Sequence, residues 1–147
     1  MLSEKINLTA VDKYVNWFND TDLRPYLFSD TPTKKEDIAY WLQEIAASKT
    51  ARYFFIKDAG QIIGHVGLKN IKGHTAEIGI VIGEKAKWEK GIGTVYLKNI
   101  ISYAQTLGLK KLTAKILKTN YRSQHVFEKL GFVHTGDLLE NRCFLRR

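Results

Sequence analysis

A chain of 147 residues with 44% hydrophobic and 26% charged side chains can bury a core as one domain over residues 1–147, without disulfide or metal staples. Its formal charge of +8 favours polyanionic partners, nucleic acid and phosphate-rich small molecules alike. Its single cysteine, Cys143, excludes an internal disulfide, and MLSEKINLTA has no basic segment leading into an apolar one, so a reducing, cytoplasmic setting without signal peptide is expected. No apolar run reaches the roughly 20 residues that span a bilayer, which predicts no membrane partner.

In chain order, Thr9 to about Asn19 reads as a helix, with Val11, Tyr14, Val15 and Phe18 at helical spacing. Asp20 to Pro32 is a broken segment. Thr33-Lys34-Lys35-Glu36 has the pattern of a capping box and opens a second helix, to about Ser48, that carries Ile38, Trp41, Leu42 and Ile45. The period then changes. Arg52–Lys57, Gln61–Lys69 and Thr75–Ile82 read as strands separated by turns at Asp58-Ala59-Gly60 and Lys72-Gly73-His74. Gly91–Leu107 is predicted helical, with Val95, Tyr96, Ile100 and Ala104 on one face and Gly108 as its stop. A strand at Lys111–Leu117, a helix at Ser123–Leu130 ended by Gly131, and a strand at Phe132–Leu138 follow, with Arg142–Leu145 placed to close a hairpin. The strand–helix–strand unit in this half should be a parallel, right-handed crossover.

Trp88-Glu89-Lys90-Gly91-Ile92-Gly93-Thr94 lies between a strand and the long helix. Two glycines there let backbone approach a ligand, and the first-turn amides with the positive end of the helix dipole suit a pyrophosphate. Lys85, Lys87 and Lys90 add charge around the loop. The third glycine of a dinucleotide fingerprint and the lysine–serine pair of a P-loop are both missing. Downstream, Asn120 and Ser123 stand where a strand ends and a helix starts, and either residue can serve as a cap.

The two segments together resemble the GNAT acetyltransferase superfamily. Its pyrophosphate loop is met here by Gly91 and Gly93, with Trp88 where the family usually has Gln or Arg, and its Asn-x-x-Ser-x-x-x-x-x-Lys-x-Gly-Phe pattern is complete from Asn120 to Phe132. Trp88, Ala76-Glu77-Ile78-Gly79 and Trp17-Phe18-Asn19-Asp20 look like the RimJ/RimL-like branch. The resemblance implies an α/β (α+β) fold, with a mixed, mostly antiparallel central sheet flanked by helices and a splayed strand pair holding acetyl-CoA. It implies backbone bonds from Ile82 and Gly83 to the pantetheine amides, and phosphate binding by Glu89, Lys90, Gly91, Ile92, Gly93 and Thr94. Asn120 would meet the pantetheine from the other side, and Arg122, Lys129 or Lys118 the 3′-phosphate.

The implied reaction is direct attack of a primary amine on the thioester, the amine being that of a protein N-terminus or a small molecule. An alkyl amine has a pKa near 10 and must first lose a proton, and Glu77 resembles the acidic residue that takes it in this branch. The alternative for Glu77 is a strand glutamate paired with a lysine. The family's acid tyrosine is replaced by Phe127, which is expected to pack beside the thioester and leaves Ser123 as the nearest hydroxyl. The replacement also supports a second reading, a catalytically idle GNAT-like module that binds acetyl-CoA. A nucleic-acid partner is disfavoured, since no strip of interleaved aromatic and basic residues is present. A homodimer stays open. His65, His74, His125 and His134 lack metal-ligand spacing, so no metal is expected.

Overall fold

The computed structural model describes residues 2–147. The change of period at residue 52 marks the start of three consecutive antiparallel strands, β1 (Arg52–Asp58), β2 (Gln61–Lys72) and β3 (Thr75–Ile82). Ala59 and Gly60 hold φ values of 49° and 77° in the first turn, the left-handed pair whose twist suits a two-residue hairpin. Strand β2 runs three residues further than its pattern suggested, because Asn70, at φ 53°, takes up a register shift between Lys69 and Lys72.

Upstream, α1 (Val11–Phe18) follows a 3-10 turn at Leu8–Ala10. The side chain of Asn7 accepts from the Thr9 amide at 2.9 Å and so starts the chain turning. Helix α2 spans Lys35–Ala47. The capping box expected at its start does not form. Lys34 occupies the cap position and no side chain accepts from the free amides, so Glu36 and Asp37 in the first turn meet the helix dipole instead.

After β3 come α3 (Ile92–Thr106), β4 (Lys111–Leu117), α4 (Tyr121–Lys129), β5 (Val133–Leu138) and β6 (Asn141–Arg146). Helix α3 buries Leu97, Ile100, Ile101 and Ala104 at i, i+3, i+4 and i+7. Val95, expected on that face, is 53% exposed, since the stripe is centred two residues further on. Helix α4 starts before Ser123, because Asn120 accepts from the Ser123 amide at 3.3 Å and acts as the cap.

All six strands join one sheet in the order β1-β2-β3-β4-β6-β5. The α4 crossover does not join neighbouring strands. Strand β6 inserts between β4 and β5 and pairs antiparallel with both, so the parallel neighbours are β3 and β4, linked through α3. Two cores lie on opposite faces of this sheet. One packs Tyr14, Trp17, Phe18, Ile38 and Leu42 of α1 and α2 against Tyr53 and Phe55. The other packs α3 and Phe127 of α4 against Phe54, Val66, Leu68 and Ile78. The alternation of strand side chains sorts the two sets. Burying each large apolar side chain contributes roughly 1.5–3 kcal/mol, so both faces of the sheet are held.

Candidate active site

Strands β3 and β4 pair only from Thr75↔Lys111 to Glu77↔Thr113. Beyond Glu77 they diverge, β3 running on to Ile82 and β4 to Leu117. The β2–β3 ladder decides which backbone groups face the opening. The Gly83 amide donates to the Ile63 carbonyl at 2.8 Å, so alternate residues Ile82 and Ile80 turn their amide and carbonyl groups away from β2 and toward the gap.

Two cavities meet at this gap. The loop cavity, of about 430 Å³, reaches the N-terminus of α3 and is lined by Trp88 through Thr94, Ile80, Ile82 and Arg122. The sheet cavity, of about 410 Å³, lies toward α1 and α2 and includes Glu77, Gly79, His65, Tyr53, Trp41 and Phe127. Tyr26, Leu27, Ile80, Val81, Asn120 and Ser123 line both.

In the loop, Glu89 and Gly91 hold φ values of 59° and 80°. These left-handed residues fold the chain back before Ile92 starts the helix, and a non-glycine residue in that conformation is strained. The first helical bond from the loop is donated by Val95 to the Gly91 carbonyl at 3.3 Å, and no side chain caps the helix. The amides of Ile92, Gly93 and Thr94 therefore have no carbonyl within the helix. Gly93 needs no glycine for its own packing. A Cβ there would meet Ile82 and Ile80 at 3.6 and 3.7 Å, ordinary contacts, so its small size serves the open cavity.

The charges around the loop differ from those expected. Lys85 pairs with Asp22 at 2.7 Å and Asp20 at 3.5 Å, and Lys87 pairs with Asp58 at 2.7 Å. Lys90 forms no ion pair among the described residues. Arg122 crosses from α4 to the loop, with its guanidinium 4.9 Å from the Trp88 ring centre and 3.3 Å from the Glu89 carboxylate. Trp88 is fixed by donating its indole N–H to the Ile82 carbonyl at 2.8 Å. That bond takes one of the groups expected to meet pantetheine. The other, the Gly83 amide, is held by Ile63, and Gly83 lines neither cavity. A Cβ on Gly83 would strike the Trp17 ring, so this glycine admits α1 to the sheet.

Glu77 stands at the fork of the splay with its side chain 11% exposed. Lys69 and Lys115 approach its carboxylate at 3.3 and 3.8 Å. The lysine pairing weighed for Glu77 is present, inside a cavity rather than on an open face. Asn120 and Ser123 lie across the gap and border both cavities. Phe127, 2% exposed, belongs to the sheet cavity wall and packs edge-on against Phe132 at 5.0 Å.

His65, placed among scattered histidines by sequence, lies in this cavity wall. Its Nδ1 is 2.7 Å from the Tyr14 hydroxyl, and Tyr14, Trp41 and Tyr53 surround the ring. Burial, then the charge of Lys69, push its pKa down to about 3, so the imidazole is neutral. Burial and the Glu77 charge push the Tyr53 phenol upward and keep its proton. A period-2 reading links these positions. His65, Gly67 and Lys69 pair with Val81, Gly79 and Glu77, so all six share one face.

The Acetyltransferase (GNAT) domain family matches residues 4–133. The chain belongs to the GNAT acetyltransferase family. It is 30% identical over 141 residues to the Bacillus subtilis protein YwnH, a proposed phosphinothricin acetyltransferase, covering 92% of this chain and 83% of that one. It is 38% identical over 79 residues to an uncharacterised Methanocaldococcus jannaschii protein, a match covering 54% of this chain and 16% of that much longer relative. The spermidine N-acetyltransferase of Vibrio cholerae, solved with CoA and spermine, superposes with a TM-score of 0.83 at 19% identity over 97% of this chain and 90% of that one. The mixed sheet with flanking helices is thus the GNAT fold. Among the described residues no cluster of metal-ligating side chains occurs, and no helix is long and apolar enough to cross a membrane.

Proposed function

We propose that the protein transfers the acetyl group of acetyl-CoA to a primary amine by direct attack on the thioester. The carrying observation is that two cavities of different chemistry meet in the β3–β4 gap, one ending at an uncapped helix N-terminus and the other holding a carboxylate. The amides of Ile92, Gly93 and Thr94 and the α3 dipole suit the pyrophosphate. The backbone of Ile80, with the Ile82 amide, replaces Gly83 as partner of the pantetheine amides. Asn120 faces that arm from α4, and Arg122 and Lys90 supply charge toward the phosphates. Substrates named for the relatives, spermidine and phosphinothricin, carry amines, which supports an amine acceptor. Trp88 and the Ala76–Gly79 segment support the RimJ/RimL-like branch, and the lone, partly buried Cys143 suits a reducing cytoplasm.

In this reading the amine nitrogen bonds to the thioester carbon, the carbon–sulfur bond breaks, and CoA leaves as a thiolate. One amine proton must go to a base. Glu77 lies three residues along β3 from Ile80, about 10 Å at strand rise, so the proton reaches its carboxylate through water. The thiolate takes a proton from Ser123 or solvent, and its ordinary pKa of about 8.5 makes that help modest.

Glu77→Gln tests the assignment. It keeps shape and hydrogen bonding and cannot take a proton at neutral pH. The kcat should fall on the order of 10²-fold at pH 7 while acetyl-CoA affinity holds, and the deficit should shrink toward the amine's pKa of about 10. Parental turnover in the variant would make Glu77 structural. Tight acetyl-CoA binding with no transfer to any amine would leave the idle module.

A further inference from the structure

Ten of the eleven glycines have a local explanation in the chain itself or in the loop cavity. Gly60, Gly73, Gly91, Gly108 and Gly131 hold positive φ values. Gly64, Gly67 and Gly83 sit where a Cβ would strike a neighbour. Gly93 opens the loop cavity, and Gly136 sits at a register shift in β5. Gly79 has none of these. It lies inside β3, outside the left-handed region, and a Cβ there would meet nothing within 4 Å. A glycine inside a strand is less stable than alanine, and it marks a place where a ligand or another backbone comes close.

The empty space is the sheet cavity. Gly79 pairs with Gly67 across β2–β3. Over Gly67 lies the Tyr53 ring, which a Cβ would meet at 2.5 Å. The cavity floor is therefore an aromatic plate beside an open notch. Glu77 stands on one side of the notch and Val81, at the junction with the loop cavity, on the other. Phe18 and Trp41 rise above the floor. Charge narrows the choice of occupant. Asp30 and Glu77 balance Lys69 and Lys115 in the lining, His65 is neutral, and Glu77 already faces two ammonium groups. A chamber without excess acid has little to offer a polycation.

We infer that Gly79 determines acceptor specificity, its notch seating the body of a bulky, ring-bearing monoamine so that the amine meets the thioester at the gap. This rests on the acetyltransferase reading and specifies its acceptor. A Cβ at Gly79 meets nothing of the fold and Gly79 does not line the loop cavity, so a side chain there enters the notch.

The test compares the parent with Gly79→Ala, Gly79→Val and a control, Gly136→Val, on cyclohexylamine, benzylamine, butylamine and spermidine. Thiol release gives kcat/KM, calorimetry gives acetyl-CoA affinity, and ligand-observed NMR follows binding of each amine without requiring turnover. The parent should prefer the cyclic monoamines to spermidine by at least tenfold. Gly79→Val should lower their kcat/KM at least tenfold and abolish their NMR signal, with butylamine changed less than twofold and acetyl-CoA affinity unchanged. Gly136→Val, which lines neither cavity, should keep the parent's amine preference and acetyl-CoA affinity whatever it does to the stability of the β5 edge. Preference for spermidine, an equal loss for every amine, or a parallel loss of acetyl-CoA binding would overturn the inference. Cyclic amines that bind in a Gly79-dependent manner without being acetylated would support the notch and sink the acetyltransferase reading instead.

Discussion

The buried imidazole of His65 makes stability depend on pH in a defined window. Unfolded, the ring titrates near 6.5. Folded, burial first and the Lys69 charge second bring it to about 3. Below pH 6.5 the unfolded chain binds a proton that the folded chain refuses, so this contribution is complete above 6.5 and is lost as pH falls toward 3. From 6.5 to 5.0 the loss is about 1.5 units at 1.36 kcal/mol each, about 2 kcal/mol. The perturbation is a double substitution, His65→Phe with Tyr14→Phe, which removes the imidazole without leaving the Tyr14 hydroxyl unpaired in the core. Urea denaturation of both proteins at pH 7.5 and 5.0 gives the comparison. Glu4, Asp20 and Asp137 have carboxyl groups held below their ordinary values, and the stability they contribute is lost at lower pH, outside this window. The variant should lose about 2 kcal/mol less than the parent between the two conditions. An equal loss in both proteins would show that His65 titrates in the fold as it does in the unfolded chain, and a smaller loss in the parent would show that the fold keeps its proton.

Two further substitutions separate the cavity from the scaffold. Gly93→Val should leave the melting temperature near the parental value, since a Cβ there makes ordinary contacts. Its branched side chain should crowd the loop cavity and weaken acetyl-CoA binding at least tenfold by calorimetry. Gly83→Ala should do the reverse, driving a methyl group into the Trp17 ring at a cost of roughly 1–3 kcal/mol, read as an earlier urea midpoint, with the loop amides unaltered.

Most elements were legible because their signals are local. The two-residue turn at Ala59-Gly60, the glycine stop at Gly108 and the alternation through β1–β3 each act within a few residues, and the strands form where the pattern puts them. What failed needed distant partners. The four residues Thr33–Glu36 fit a capping box, yet whether a threonine folds back onto the amides depends on how the preceding loop enters, and here Lys34 takes the cap position. Tyr96, Ile100 and Ala104 repeat every four residues and Val95 adjoins the first of them, and only the sheet beneath α3 selects the stripe centred on Leu97 and Ile101. The insertion of β6 between β4 and β5 carries no local mark at all, since antiparallel partners are chosen by the whole sheet.

The site divides in the same way. Gly91 and Asn120 announce themselves because loop and cap geometry demand particular residue types, and Gly93 through its place in the Gly-x-Gly pattern. The lysines flanking the loop announced a charge that the fold then spent, as Asp20 and Asp22 from the segment after α1 and Asp58 from the end of β1 neutralise Lys85 and Lys87. The residues around Glu77 are of the second kind. His65, Gly67 and Lys69 look unremarkable along β2, and their meaning comes from the register that sets them opposite Val81, Gly79 and Glu77. A shift of one residue would turn Glu77 and Gly79 to the α3 face and remove both from the sheet cavity. The positions of the carboxylate and the notch are therefore properties of strand pairing. The β2–β3 ladder that fixes them also holds Gly83 against Ile63, so acceptor face and splayed gap are set together by one register.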